Sequence, residues 1–100
     1  MKDRISVWFK ADHDTRSVII EIDNTLEALQ NLVGGYIETL TVFEDAVLIF
    51  NEEGRLRGMP YNCTFCGVNL VGPVVLAGVD GDEFTDAPDS ALIFRGEAEE

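Results

Sequence analysis

Apolar and polar residues alternate from Ile5 to Lys10, with Ile5, Val7 and Phe9 in one set and Ser6, Trp8 and Lys10 in the other. A period of two predicts a strand with one face toward a core. Val18, Ile20 and Ile22 repeat that period after the polar stretch from Asp12 to Arg16, so the two segments are predicted to form a hairpin. The period then lengthens. Leu26, Leu29, Leu32 and Val33 form the stripe of an amphipathic helix, with Asn24 as its expected N-cap and Glu27 as the capping-box partner three residues on. Gly34 and Gly35 end it, because a glycine past the last turn adopts a left-handed conformation that other residues avoid.

Tyr36 to Phe43 is rich in β-branched and aromatic residues, and Ala46 to Phe50 is apolar at every position. A strand apolar on both faces belongs in the middle of a covered sheet, and Glu44-Asp45 is predicted to turn the chain between the two. Asn51-Glu52-Glu53-Gly54 reads as a turn with Gly54 free to take positive φ. Arg55 to Gly58 reads as a short returning strand or a loop. Residues 60 to 67 are ambiguous: Pro60 could start a helical turn and Gly67 would end it. Pro73 suits the opening of a strand from Val74 to Val79, Asp80-Gly81-Asp82 turns the chain, and Asp86 with Pro88 is expected to cap a short helix through Phe94.

The expected fold class is therefore α+β. One compact domain over residues 1–100 has a mostly antiparallel sheet of about five strands, a main helix at about 25–33 on one face and a short C-terminal helix. Residues 96–100 are expected to fray as an acidic tail.

Composition narrows the function classes. The chain of 100 residues is 46% hydrophobic, with six Phe, two Tyr and one Trp. A domain of this size buries about two-thirds of its unfolded surface, enough for a core without metal or disulfide staples. No apolar run approaches the roughly 20 residues that cross a bilayer, and no signal-peptide pattern opens the chain, so a soluble cytoplasmic protein without membrane partners is expected. Nineteen acidic against seven basic residues give a net charge of -12, which argues against direct binding to nucleic acid. The acidity is densest at Asp80 to Asp89 and Glu97 to Glu100. These read as solvated loops, or alternatively as a surface imitating DNA.

Five segments carry a resemblance: Asp23 to Gln30, Val33-Gly34-Gly35-Tyr36-Ile37-Glu38, Asn51-Glu52-Glu53-Gly54, Pro60-Tyr61-Asn62, and Val71-Gly72-Pro73-Val74-Val75. In that order and at those separations, over roughly residues 5 to 80, the chain resembles the family catalogued as domain of unknown function 3846. The resemblance implies an accessory protein of phages, plasmids and other bacterial mobile elements, and it implies no activity. The Cys63-Cys66 pair and the acidic C-terminal segment depart from the family's pattern.

Catalytic chemistry is poorly supplied. Cys63-Thr64-Phe65-Cys66 has the spacing of a metal or redox pair, yet no second pair exists and His13, the one histidine, is distant in sequence. Two reduced structural thiols are expected, with no cofactor and no metal. His13 lies in a polar turn, no phosphate-binding glycine loop or nucleophile elbow is present, and adjacent Glu52 and Glu53 point apart in a turn. The protein is expected not to be an enzyme.

Convergent polar chemistry occurs in one region, Asn51 to Asn62. Asn51, Glu52, Glu53, Arg55, Arg57, Tyr61 and Asn62, with Tyr36 and Glu38 from the preceding signature, form the candidate ligand-binding set. Amides read base edges, arginines hold phosphates and a tyrosine stacks on a ring, so the leading expectation is a binding protein that sequesters a small nucleotide of the host. The same segment is also a good turn, whose asparagines satisfy local backbone groups. An acidic module binding a host protein such as a nuclease or repressor is the rival expectation, and a homo-oligomeric regulatory or assembly domain stays open as a third.

Overall fold

The all-apolar run at residues 46 to 50 lies in the interior of the main sheet, covered on both faces. A computed structural model describes residues 3–65 and 67–88, which contain eight strands and one helix. They are β1 (Arg4–Lys10), β2 (Val18–Asp23), α1 (Leu26–Val33), β3 (Ile37–Phe43), β4 (Ala46–Asn51), β5 (Tyr61–Phe65), β6 (Val68–Val71), β7 (Val74–Asp80) and β8 (Glu83–Thr85). The main sheet runs β2-β1-β7-β4-β3, with β8 paired to the end of β7, and β5 and β6 form a separate two-stranded sheet. Every strand pair is antiparallel. The fold is α+β, with more strands than the sequence predicts and a second sheet that it does not.

Alternation along β4 divides the core into two layers. Val47 and Ile49 join Ile5, Val7, Val75, Ala77 and the α1 residues Leu29 and Val33 on the helix side. Ala46 and Leu48 join Trp8, Val74, Leu76 and the hairpin residues Cys63, Phe65 and Leu70 on the other. Each layer removes apolar surface from water on one side of the same sheet, which is why β4 is apolar from Ala46 to Phe50 and β7 from Val74 to Val79. The one-sided reading of β1 is corrected for the same reason: Trp8 and Lys10 are buried under the second layer. Lys10 is 1% exposed, and its ammonium donates to the carbonyls of Asp12 (2.7 Å) and His13 (3.2 Å).

The helix starts one residue later than its expected cap. Thr25 is the N-cap, its hydroxyl accepting from Ala28 N at 3.1 Å, while Asn24 uses its amide to reach Phe84 O. Gly34 closes the helix as expected, with φ of 82° and its N–H donating to Gln30 O. Residues 61 to 65 are a strand rather than a helical turn, because Asn62, Cys63 and Phe65 are drawn into the second layer. Arg55 to Gly58 is a turn.

Asp86 does not cap a helix within the described residues. Its carboxylate accepts from Ser6 N at 2.8 Å, and Ala87 N donates to Ser6 O at 2.8 Å, so the chain there continues beside β1. The rest of the expected closing helix, through Phe94, and the acidic tail lie outside the described residues, as does Cys66.

Candidate functional site

The nine candidate residues fall into four places. Asn51, at the end of β4, is 3% exposed and works as a junction. Its amide nitrogen donates to Val33 O at 3.1 Å, its amide oxygen accepts from Glu53 N at 2.7 Å, and its backbone carbonyl accepts from Gly54 N at 3.2 Å. One side chain thus ties the last turn of α1 to the turn after β4. Gly35 packs directly on it: a Cβ there would stand 2.9 Å from Asn51 Nδ2 and 3.1 Å from Arg57 Nη1. Gly54 is needed for space rather than for positive φ, since a Cβ would stand 3.0 Å from Val71 Cγ2.

Asn62 is the second place and is 1% exposed in β5. Its amide nitrogen donates to Lys10 O at 3.0 Å and Gly72 O at 2.7 Å, so it clamps the hairpin layer to the end of β1. His13 Nδ1 lies 3.0 Å from Asn62 O, and since a carbonyl only accepts, that nitrogen carries the proton. Tyr61 belongs here too: its ring lies 5.4 Å from that of His13, and its hydroxyl is 2.8 Å from Thr64 Oγ1. The two asparagines therefore do not bracket one pocket.

Tyr36, Glu53 and Arg57 form the third place, an open depression of about 390 Å³ completed by Gln30, Asn31, Gly34 and Gly35. Tyr36 is 68% exposed, and Arg57 Nη1 donates to Gly34 O at 2.9 Å. The last turn of α1 has no basic residue of its own, so Arg57 supplies positive charge at the carbonyl end of the helix dipole. Helix carbonyls and Glu53 make this depression unfavourable for a phosphate.

The fourth place is a groove of about 550 Å³ between β3 and β6. Glu38, Thr39 and Leu40 line one wall, all four residues of β6 line the other, and Phe50, Asn51, Glu52, Arg55 and Leu56 complete it. Leu40, Phe50, Val68 and Leu70 also pack on the second core layer, so its floor is apolar. Leu56 is 89% exposed at the rim. Exposed Glu38 and Glu52 provide carboxylates, while Arg55 donates from Nη2 to Asn69 O. Glu52 and Glu53 diverge as expected, one into each depression.

The sequence reading missed the apolar half of this groove. Its signal was present in Gly67 followed by Val68, Leu70 and Val71, a turn residue leading into a β-prone run. Among the described residues no group of three or more His, Cys, Asp or Glu is placed to hold a metal, and no helix is long and apolar enough to cross a membrane. Cys63 is buried.

No curated protein and no solved structure gives a significant match to the chain. A family model described as domain of unknown function (DUF3846) matches residues 7–95. That span extends the expected boundary and takes in the acidic stretch from Asp80 to Asp89. The chain belongs to the DUF3846 family.

Proposed function

We propose that this is a non-enzymatic binding protein whose ligand lies in the groove between β3 and β6, and that the ligand is a protein segment rather than a nucleotide. The observation that carries the reading is the groove itself, an apolar floor beside two exposed carboxylates. A volume of about 550 Å³ suits a few side chains or one small molecule. Leu56 at the rim would supply contact area, and Glu38 and Glu52 would orient a cationic or hydrogen-bond-donating group. Carried on a phage or other mobile element, as the family resemblance implies, such a protein would act on a host protein in the cytoplasm.

A nucleotide could rest its base on Phe50, its ribose on Glu38 or Glu52 and its phosphate on Arg55. Electrostatics weigh against it: two carboxylates share the groove with Arg55, and the chain carries a net charge of -12. The deciding measurement is an NMR titration of the full chain with an amphipathic lysine-containing peptide and, separately, with adenosine and guanosine nucleotides. The peptide is expected to move the amides of Glu38 to Leu40 and Val68 to Val71, and the nucleotides to leave them in place. Nucleotide shifts at those amides, removed by Arg55→Ala, would transfer the reading to nucleotide sequestration; silence from the peptide would end the protein-binding reading.

A further inference from the structure

Strand β6 is an edge. Among the described residues it pairs with β5 alone, through Phe65 with Val68, Thr64 with Asn69 and Cys63 with Leu70. In an antiparallel pair, alternate residues turn their N–H and C=O toward the partner or away from it. Asn69 turns its carbonyl away, because that oxygen accepts from Arg55 Nη2 across the groove. The guanidinium therefore occupies an acceptor that a third strand would use. Beyond β6 the second sheet stops, and the part of the main sheet carrying Glu38, Leu40 and Phe50 has no strand above it among the described residues.

We infer that the groove takes an extended, basic segment of a protein partner, which adds to β6 as a third strand of the β5-β6 sheet. This rests on the groove reading above and specifies its mode. Stacked sheets lie about 10 Å apart and paired strands about 4.8 Å apart, so a strand added beside β6 would lie over β3 and cover the apolar floor. Four residues of β6 span about 13 Å, which limits pairing to about four partner residues. One set of alternate side chains would face the main sheet, where Glu38 shares the face of Leu40 and Phe50, and the other set would face solvent. Lysine or arginine is the complement for Glu38 and Glu52, and a chain of net charge -12 attracts such a segment from a distance. Main-chain hydrogen bonds supply affinity in this mode, and the carboxylates supply the sign of charge accepted.

Arg55 separates strand addition from simple occupancy of the groove. A strand that pairs with β6 displaces the guanidinium from Asn69 O, so removing the side chain removes a competitor and one local positive charge. An anionic ligand needs that same charge.

The test uses the full chain and fluorescently labelled short peptides in which one alternate set of positions holds valines flanked by lysines and the other set holds serine. One control carries glutamate in place of lysine. Two others carry N-methyl groups on one or the other alternate set of backbone amides. The basic peptide is expected to bind at least about tenfold tighter than the acidic one, from charge complementarity. One N-methylated version, and only one, is expected to lose about tenfold or more, because a single edge of the added strand faces β6. Arg55→Ala is expected to tighten the basic peptide about threefold, and Glu38→Gln with Glu52→Gln to weaken it about tenfold. Hydrogen exchange should slow at Asn69 rather than at Thr39. If both N-methylated versions bind like the parent, or protection falls on β3, strand addition to β6 is overturned while the groove reading stands. If the basic peptide does not bind at all, both fail; if Arg55→Ala weakens it, the displacement is wrong.

Discussion

The junction at Asn51 and the groove beside it are built from consecutive residues, yet they treat polar groups in opposite ways. Asn51 is buried, and both ends of its amide are engaged by groups the fold must satisfy, Val33 O and Glu53 N. Glu52, the next residue, is exposed and lines a groove whose floor is apolar. A buried amide bonded on both sides has little left to offer a ligand; an exposed carboxylate at the edge of an apolar surface has both its charge and its geometry available. Asn51, Gly35 and Asn62 belong to the segments by which the sequence resembles its family; Asn51 and Gly35 have structural explanations, and Asn62 has one for its Nδ2, which clamps two carbonyls, while its buried Oδ1 has no hydrogen-bond partner among the described residues. The chemistry is carried by their neighbours.

The strongest way to break that division is Asn51→Ala. The substitution leaves Val33 O without its amide donor at the end of the helix and Glu53 N without its acceptor. We expect a loss of about 1–3 kcal/mol, mostly from orphaning the buried Val33 carbonyl, with a smaller share from the part-buried N–H of Glu53. Urea unfolding checks it: the midpoint should fall with the slope unchanged. A loss below about 0.5 kcal/mol, the range of ordinary surface changes, would return Asn51 to the candidate ligand set.

Gly35→Ala sharpens the same point with a smaller effect. The new Cβ would stand 2.9 Å from Asn51 Nδ2 and 3.1 Å from Arg57 Nη1, and only the second of these is the far end of a flexible side chain. A cost of about 1–2 kcal/mol is expected from this crowding. It should persist in an Arg57→Ala background, because the amide of Asn51 is fixed by its two bonds. If the cost vanished there, the arginine rather than the asparagine would be what requires a glycine.

The contrast between junction and groove also explains what could be read from the sequence. Ala46 to Phe50 announced a strand covered on both faces, and the period change at Leu26 announced the helix, because burial imposes its own spacing on apolar residues. Lys10 defeated the same reasoning. Its alternation marked a polar face, but two backbone carbonyls from the β1-β2 loop allow its ammonium to be buried under the hairpin layer. The hairpin itself was hidden because β6 has four residues and its partner opens with Tyr61-Asn62 directly after Pro60, which reads equally as a helical turn. The polar half of the groove was therefore legible and its apolar half was not. Asn62 misled in a further way: an amide that clamps two distant carbonyls has the same sequence appearance as one that reads a ligand.

The smallest expected effect on folding is the most informative about the groove. Leu56 is 89% exposed, so Leu56→Ser removes almost no buried area and is expected to change stability by less than about 0.5 kcal/mol. A large apolar side chain at the rim of an apolar groove contributes little to the fold, and its contribution should emerge when a ligand covers it. Peptide affinity is therefore expected to fall about tenfold in Leu56→Ser, a loss characteristic of truncating one well-covered interface residue. Unfolding and binding measured on the same preparation give the result its force. Unchanged stability with weakened binding would separate the groove from the junction as a working surface; unchanged binding would remove Leu56 from it and leave Glu38 and Glu52 to account for recognition by charge alone.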